Sequence, residues 1–188
     1  MLESHNIFNN KKILIYGLGK SGLSASKFLK RNNEVIEYDD KKNKNYGKIR
    51  KIEFDYIILS PGIDINKCKL SNFLKKNYSK IHTDLDIFYS NYKNNYKITI
   101  TGTNGKSTTA KILYEVIKAQ KIDVRLVGNI GNPILLEKNI TNKTIFIIEA
   151  SSYQLAYSKL FKSNISMILN ISPDHLDRHK TISGYINA

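Results

Sequence analysis

The chain has 188 residues, 41% of them apolar and 24% charged, ordinary proportions for a folded globular protein and too apolar for a disordered one. No apolar run approaches the ~20 residues of a membrane span, the opening MLESHNIFNNKK lacks the apolar stretch of a secretory signal, and the lone Cys68 excludes an internal disulfide and a Cys₄ or Cys₂His₂ zinc centre. The net charge of +14 comes from lysines spread through Asn-, Ile- and Tyr-rich stretches with no nucleic-acid-binding motif, so neither nucleic acid nor membrane is expected as a partner, and a reducing cytoplasm is the expected location.

Strand-like runs alternate with helical patterns from Ile13 onward, which predicts consecutive βαβ units and mainly parallel sheets. The first strand, Ile13 to Tyr16, feeds Gly17-Leu18-Gly19-Lys20-Ser21-Gly22. The next helix is predicted to turn Leu23, Phe28 and Leu29 inward and to end near Arg31-Asn32-Asn33. A strand from Val35 to Tyr38 stops at Asp39-Asp40, and another from Asp55 to Ser60 is cut by Pro61-Gly62. The polar stretch Tyr89 to Lys97 reads as a linker. A strand from Lys97 to Thr101 opens a second unit, with later strands expected at Val124 to Val127, Thr144 to Glu149 and Ser166 to Asn170. Each half begins with a strand, a glycine loop and a helix.

The second glycine loop carries the sharper chemistry. A β-branched strand runs into Gly102-Thr103-Asn104-Gly105-Lys106-Ser107-Thr108, and a helix follows at once. Glycines let successive N–H groups converge on phosphate oxygens, and a helix N-terminus adds positive potential. Lys106 is placed to neutralise phosphate charge, and the Ser107 hydroxyl to ligate Mg²⁺. Ile100 stands where the common phosphate-loop spacing has its first glycine. A metal also needs a carboxylate, and Glu149 supplies one at the end of a buried-looking strand, where open α/β sheets place their ligand crevice. Ser151-Ser152-Tyr153-Gln154 follows and offers hydroxyl and amide contacts, or a helix cap. His175 and His179 share a face if that stretch is helical, as a metal pair requires, although the pair taken alone reads more readily as a capped, solvated helix start. The first loop matches G-x-G-x-x-G with Asp39 after the next strand, a pattern for a nucleotide or dinucleotide site without a hydrolytic lysine.

Taken together, these motifs resemble the Mur ligase family, and within it the D-glutamate-adding branch. The resemblance rests on YGLGKSGLS, LSPGI, TDLDIF, GTNGKST, GNIGNP, EASSYQL and SPDHLDRH, which run in order along nearly the whole chain. Asp86 departs from it, standing where the family usually has glutamate. The resemblance implies an α/β fold: a Rossmann-like, mainly parallel UDP-substrate-binding domain over residues 1–93, then the first part of a P-loop-type ATPase domain over 94–188. It assigns UDP-substrate contacts to Gly19, Lys20, Ser21, Asp39, Asp40, Lys41, Gly62 and Asn129. ATP contacts fall to Gly102, Thr103, Asn104, Gly105, Lys106, Ser107 and Thr108. Magnesium falls to Ser107, Glu149 and His175, and catalysis to Lys106, Glu149 and His175. The implied partners are UDP-N-acetylmuramoyl-L-alanine, D-glutamate and ATP, on a monomer. The resemblance further implies that this chain is an N-terminal portion, inactive alone, stopping just short of a carbamylated lysine and lacking a C-terminal domain. Two alternatives stand beside it: a noncatalytic nucleotide-binding module, and a dinucleotide-dependent oxidoreductase, against which the loop at Lys106 argues.

Overall fold

The computed structural model describes residues 6–42 and 46–188; the extreme N-terminus, part of the stretch read above for a leader, lies outside them. Strands β1 (Lys12–Tyr16), β2 (Glu34–Tyr38), β3 (Tyr56–Leu59) and β4 (Ile81–His82) form a parallel sheet in the order β2-β1-β3-β4. The central runs KILIY and YIIL are buried almost throughout, as expected of parallel strands covered on both faces.

Helix α1 (Lys20–Leu29) corrects one expectation. Leu29 is buried and Phe28 packs at the rim of the core, but Leu23 is exposed, and the inward face is Gly22, Ser24, Ala25, Ser26 and Leu29. The reason is distance. A Cβ on Gly22 would stand 1.8 Å from the Gly17 carbonyl oxygen, so the helix lies against its own loop and only small side chains fit beneath it. The helix also stops at Leu29 rather than at residues 31–33, where the Asn33 side-chain amide donates to the Leu29 carbonyl at 2.9 Å. Short helices α2 (Tyr46–Ile49) and α3 (Ser71–Lys76) decorate the far side.

The expected linker is shorter than its polarity suggests. Helix α4 (Asp84–Asn91) runs into it and β5 (Tyr96–Thr101) begins early, leaving residues 92–95. Asn95 is buried there, its side-chain amide donating to the Thr141 and Thr144 carbonyls at 2.8 and 3.0 Å. Beyond it, β5, β6 (Val124–Gly128), β7 (Ile145–Glu149) and β8 (Ile165–Ile168) form a second parallel sheet in the order β6-β7-β5-β8. Helix α5 (Lys106–Ala119) packs on it, and α6 (Ser152–Leu155), α7 (Leu176–His179) and α8 (Ile182–Ile186) are short. No helix among the described residues is long and apolar enough to cross a membrane.

The two sheets share one core. Ile13, Ile15 and Ile58 of the first belong to the same apolar cluster as Val127, Phe146 and Ile148 of the second, bridged by Leu85, Ile87 and Phe88 of α4. The Phe88 and Phe146 rings meet edge-to-face at 4.8 Å. A polar tie adds to it. The buried Asp86 carboxylate accepts from the backbone N–H groups of Lys159, Leu160 and Phe161 at 2.9–3.1 Å and is hydrogen-bonded to His82 Nδ1 at 2.9 Å. Burial pushes this carboxyl up, but the bonds from His82, Leu160 and Lys159 outweigh it and hold the group below the ordinary aspartate range.

Candidate active site

At the end of β5 the backbone turns sharply through Gly102 at φ +134° and Gly105 at φ +84°, conformations that side-chain-bearing residues rarely adopt. The segment after β8 fixes the turn. Asn170 accepts the Thr103 N–H on its carbonyl at 3.0 Å and the Asn104 N–H on its side chain at 2.9 Å, and its amide donates back to the Asn104 carbonyl at 3.0 Å. A Cβ on Gly102 would lie 3.0 Å from the Asn170 oxygen, a tight contact that adds to the demand its positive φ already makes for glycine. Helix α5 then starts at Lys106, and its first-turn N–H groups have no partner inside the helix, leaving a donor-lined cradle. The Lys106 ammonium folds over the loop, donating to the Gly102 and Thr103 carbonyls at 2.7 and 2.8 Å.

Glu149, at the end of β7, meets this loop. Ser107 Oγ donates to its carboxylate at 2.8 Å, and the Asn129 amide to the other oxygen at 3.0 Å. The side chain is buried, yet both partners are neutral, and no ion pair among the described residues includes it. A buried carboxyl group without a cation beside it, next to a hydroxyl, is a donor set that suits a hard divalent ion such as Mg²⁺. After it, Ser151 caps α6 through the Gln154 N–H, so these residues do serve as a cap. Gln154 in turn reaches the buried Asp84 carboxyl at 3.5 Å, where burial pushes the acid up despite bonds from Gln154 and Ser21.

His175 and His179 do not share a helical face. His175 precedes α7 in a left-handed conformation, φ +53°, and only His179 lies within the turn. Both rings nevertheless gather on Tyr153, with centroids 4.7 and 5.6 Å away. His175 Nε2 lies 3.5 Å from Asp174 Oδ2, and no three His, Cys, Asp or Glu among the described residues are grouped to hold one metal ion. Ser107 and Glu149 therefore form the metal-competent pair seen here, with His175 seated on the neighbouring aromatic ring.

The first loop borders a cavity of about 580 Å³ at the carboxyl ends of β1–β3. Gly19, Lys20, Ser21, Asp39, Asp40, Lys41, Gly62 and Asn129 all line it. The two aspartates are already engaged. Asp39 accepts the Leu18 and Lys41 N–H groups at 2.8 and 2.9 Å, and these bonds, Leu18 first, hold its carboxyl below the ordinary range. Asp40 accepts the Tyr16 hydroxyl at 2.8 Å and the Lys69 N–H at 3.1 Å. Both shape the wall by fixing backbone. Sequence reasoning missed Asp64, Lys67 and Cys68 in this lining, which come from a loop without periodic signal. Asn129 belongs to both places: it lines the cavity and bonds Glu149, so the two sites adjoin.

Comparison with known proteins agrees with this fold. The profile of the Mur ligase middle domain matches residues 100–188. The chain is 38% identical to the UDP-N-acetylmuramoylalanine–D-glutamate ligase of Rickettsia felis, over 97% of this chain and 43% of that protein. It is 35% identical to the enzyme of the same name from Caldicellulosiruptor saccharolyticus, over 95% of this chain and 44% of that protein. The chain thus spans less than half the length of these relatives. Among solved structures, the fold is similar to the UDP-N-acetylmuramate:L-alanyl-γ-D-glutamyl-meso-diaminopimelate ligase of Neisseria meningitides, with a TM-score of 0.58 at 17% identity over 95% of this chain and 66% of that one. It is also similar to the UDP-N-acetylmuramate–alanine ligase of Thermotoga maritima, with a TM-score of 0.54 at 18% identity over 95% of this chain and 46% of that one. With two parallel sheets, a glycine loop set against Glu149 and these relatives along nearly all its residues, the chain belongs to the Mur ligase family.

Proposed function

We propose that the chain is the substrate- and ATP-binding part of an ATP-dependent amide ligase that adds D-glutamate to UDP-N-acetylmuramoyl-L-alanine, with the UDP-substrate unit at residues 1–93 and the ATP unit at 94–188. The observation that carries this reading is Asn129, which lines the first cavity while bonding the carboxylate that faces the phosphate loop. A reaction that passes a phosphoryl group from one nucleotide to a carboxylate carried on another needs two such sites in contact.

In this reading the ATP phosphates lie in the cradle of residues 102–108, and the Lys106 ammonium leaves its two carbonyls to pair with phosphate oxygens. Ser107 and Glu149 would hold one magnesium ion, and Glu149 with His175 a second; magnesium bound there would supply charge neutralisation of the phosphoryl oxygens. The L-alanine carboxylate oxygen forms a bond to the γ-phosphorus as the bond to the ADP oxygen breaks. The D-glutamate amine then attacks the carbonyl carbon of the acyl phosphate, loses a proton, and the carbon–oxygen bond to phosphate breaks. The chain's own contribution is alignment and electrostatic stabilisation, because the charge of the first step collects where Lys106 and the loop N–H groups point. These substrates set the reaction in the cytoplasm.

Calorimetric titration of this chain separates the reading from an oxidoreductase. UDP-N-acetylmuramoyl-L-alanine should bind in preference to NAD; the opposite preference would return the first loop to dinucleotide chemistry. If both nucleotides bind but the whole-length protein turns nothing over, the noncatalytic module is the better description.

A further inference from the structure

The segment carrying His175 has little anchorage of its own. Helix α7 is a single turn with no buried residue, and His175 ahead of it is in the left-handed region. Two side chains tie the segment down. His179 is hydrogen-bonded through Nε2 to Ser152 Oγ at 2.9 Å. Arg178 reaches out of the second unit altogether: its guanidinium stands over the rings of Tyr153 and Tyr157, 5.1 and 5.6 Å from their centroids, and donates to the backbone carbonyl of Ile63. Ile63 belongs to the turn of residues 60–64 that walls the first cavity. Tyr153, under the same guanidinium, carries the His175 ring. Contacts thus run without a gap from the cavity wall through Arg178 and Tyr153 to His175.

The residue type suits such a link. A planar guanidinium can lie over an aromatic face and present in-plane donors at the same time, which an ammonium cannot. No ion pair among the described residues takes up Arg178; beside its interaction with Tyr157 it donates to a backbone atom, and that bond registers where the turn lies.

We propose that Arg178 is a positioning residue that makes the placement of His175 depend on whether the first cavity is filled; this rests on reading that cavity as a uridine diphosphate site. A ligand that settles the 60–64 turn favours the arrangement in which Arg178 and Tyr153 hold His175 in one place, and by linkage an ordered His175 segment favours the filled cavity.

Titration of the 188-residue chain with UDP, followed by NMR, tests this. The amide signals of Gly62 and Ile63 report the cavity, and the ring C–H signals of His175, assigned with His175→Gln, report the far end. In the unsubstituted chain both sets should move along one saturation curve. In Arg178→Ala the Gly62 signals should still move and the His175 signals should not. Should Arg178→Ala release α7 entirely, Arg178→Lys, which keeps charge and stem but loses the plane, should show the same loss. His175 signals that follow UDP in full in Arg178→Lys, or that stay still in the unsubstituted chain while Gly62 moves, overturn the proposal and leave the uridine reading standing. Gly62 and Ile63 signals that ignore UDP overturn the uridine reading, and the proposal with it.

Discussion

In the first unit the helix after the glycine loop is pressed into the sheet, while in the second it stands half free. Helix α1 buries five of its ten residues, all but Leu29 small, and β1 is buried over four of its five positions. Helix α5 buries only Ala110 of its fourteen residues, with Ile112 and Val116 more than half exposed, and β8 leaves Ile168 65% exposed. The glycines differ in the same sense. Gly22 is required because a helix touches a loop, whereas Gly102 and Gly105 are required because the backbone must take positive φ. One strand–loop–helix plan therefore gives a closely packed helix in one place and an open, donor-lined loop in the other. The joint between the two places rests on α4, through Phe88 and Asp86.

The sharpest way to break this contrast is at the glycines. Gly22→Ala drives a methyl into the Gly17 carbonyl, and overpacking of this kind should cost about 3 kcal/mol in urea unfolding of this chain. Gly19→Ala, with no atom within 4 Å and negative φ, should stay within about 0.5 kcal/mol. Equal losses at both positions would mean that α1 is not packed as described.

The joint should respond next. Asp86→Asn removes a charge-assisted acceptor from three N–H groups and His82 and should cost about 2 kcal/mol at neutral pH. Because the Asp86 carboxyl is held below the ordinary range when folded, its contribution is complete above about pH 4 and drains away as the pH falls through the lower folded value. Unfolding midpoints measured from pH 6 downward should therefore fall more steeply for the unsubstituted chain than for Asp86→Asn. Parallel curves would remove Asp86 from the acid response.

The phosphate loop should show its effect on binding rather than folding. Lys106→Ala should weaken Mg-ATP binding or turnover in the whole-length protein at least roughly tenfold, about 1.4 kcal/mol, with the unfolding midpoint of this chain little changed. Unaltered ATP affinity would leave the loop as an ordinary glycine turn.

Strands and loops were legible in this sequence because the apolar, β-branched-rich runs ILIY and IFIIE form strands, because Lys106 and Ser107 open the helix just after a glycine loop, and because Glu149 ends its strand. What escaped depends on distance in space. Leu23 looks like an inward residue by periodicity, which cannot register that Gly17 and Gly22 nearly touch. The Asn/Lys-rich stretch looks solvated, yet Asn95 buries its amide by supplying hydrogen bonds to two carbonyls. Asp86 finds its N–H partners 73 to 75 residues away, and Arg178 its carbonyl 115 away, so neither leaves a local signature. The role of each aspartate in the cavity wall was similarly hidden: position in the motif points to Asp39 and Asp40, but not to the backbone groups that engage them.

The central claim is that two adjoining nucleotide sites serve one amide-forming reaction. Phosphate release by the whole-length protein, supplied with ATP, magnesium, UDP-N-acetylmuramoyl-L-alanine and D-glutamate, tests it most directly. Phosphate and amide product should appear in equal amounts, and only when all components are present. Phosphate released at the same rate without D-glutamate, or no release with the full mixture, would contradict it.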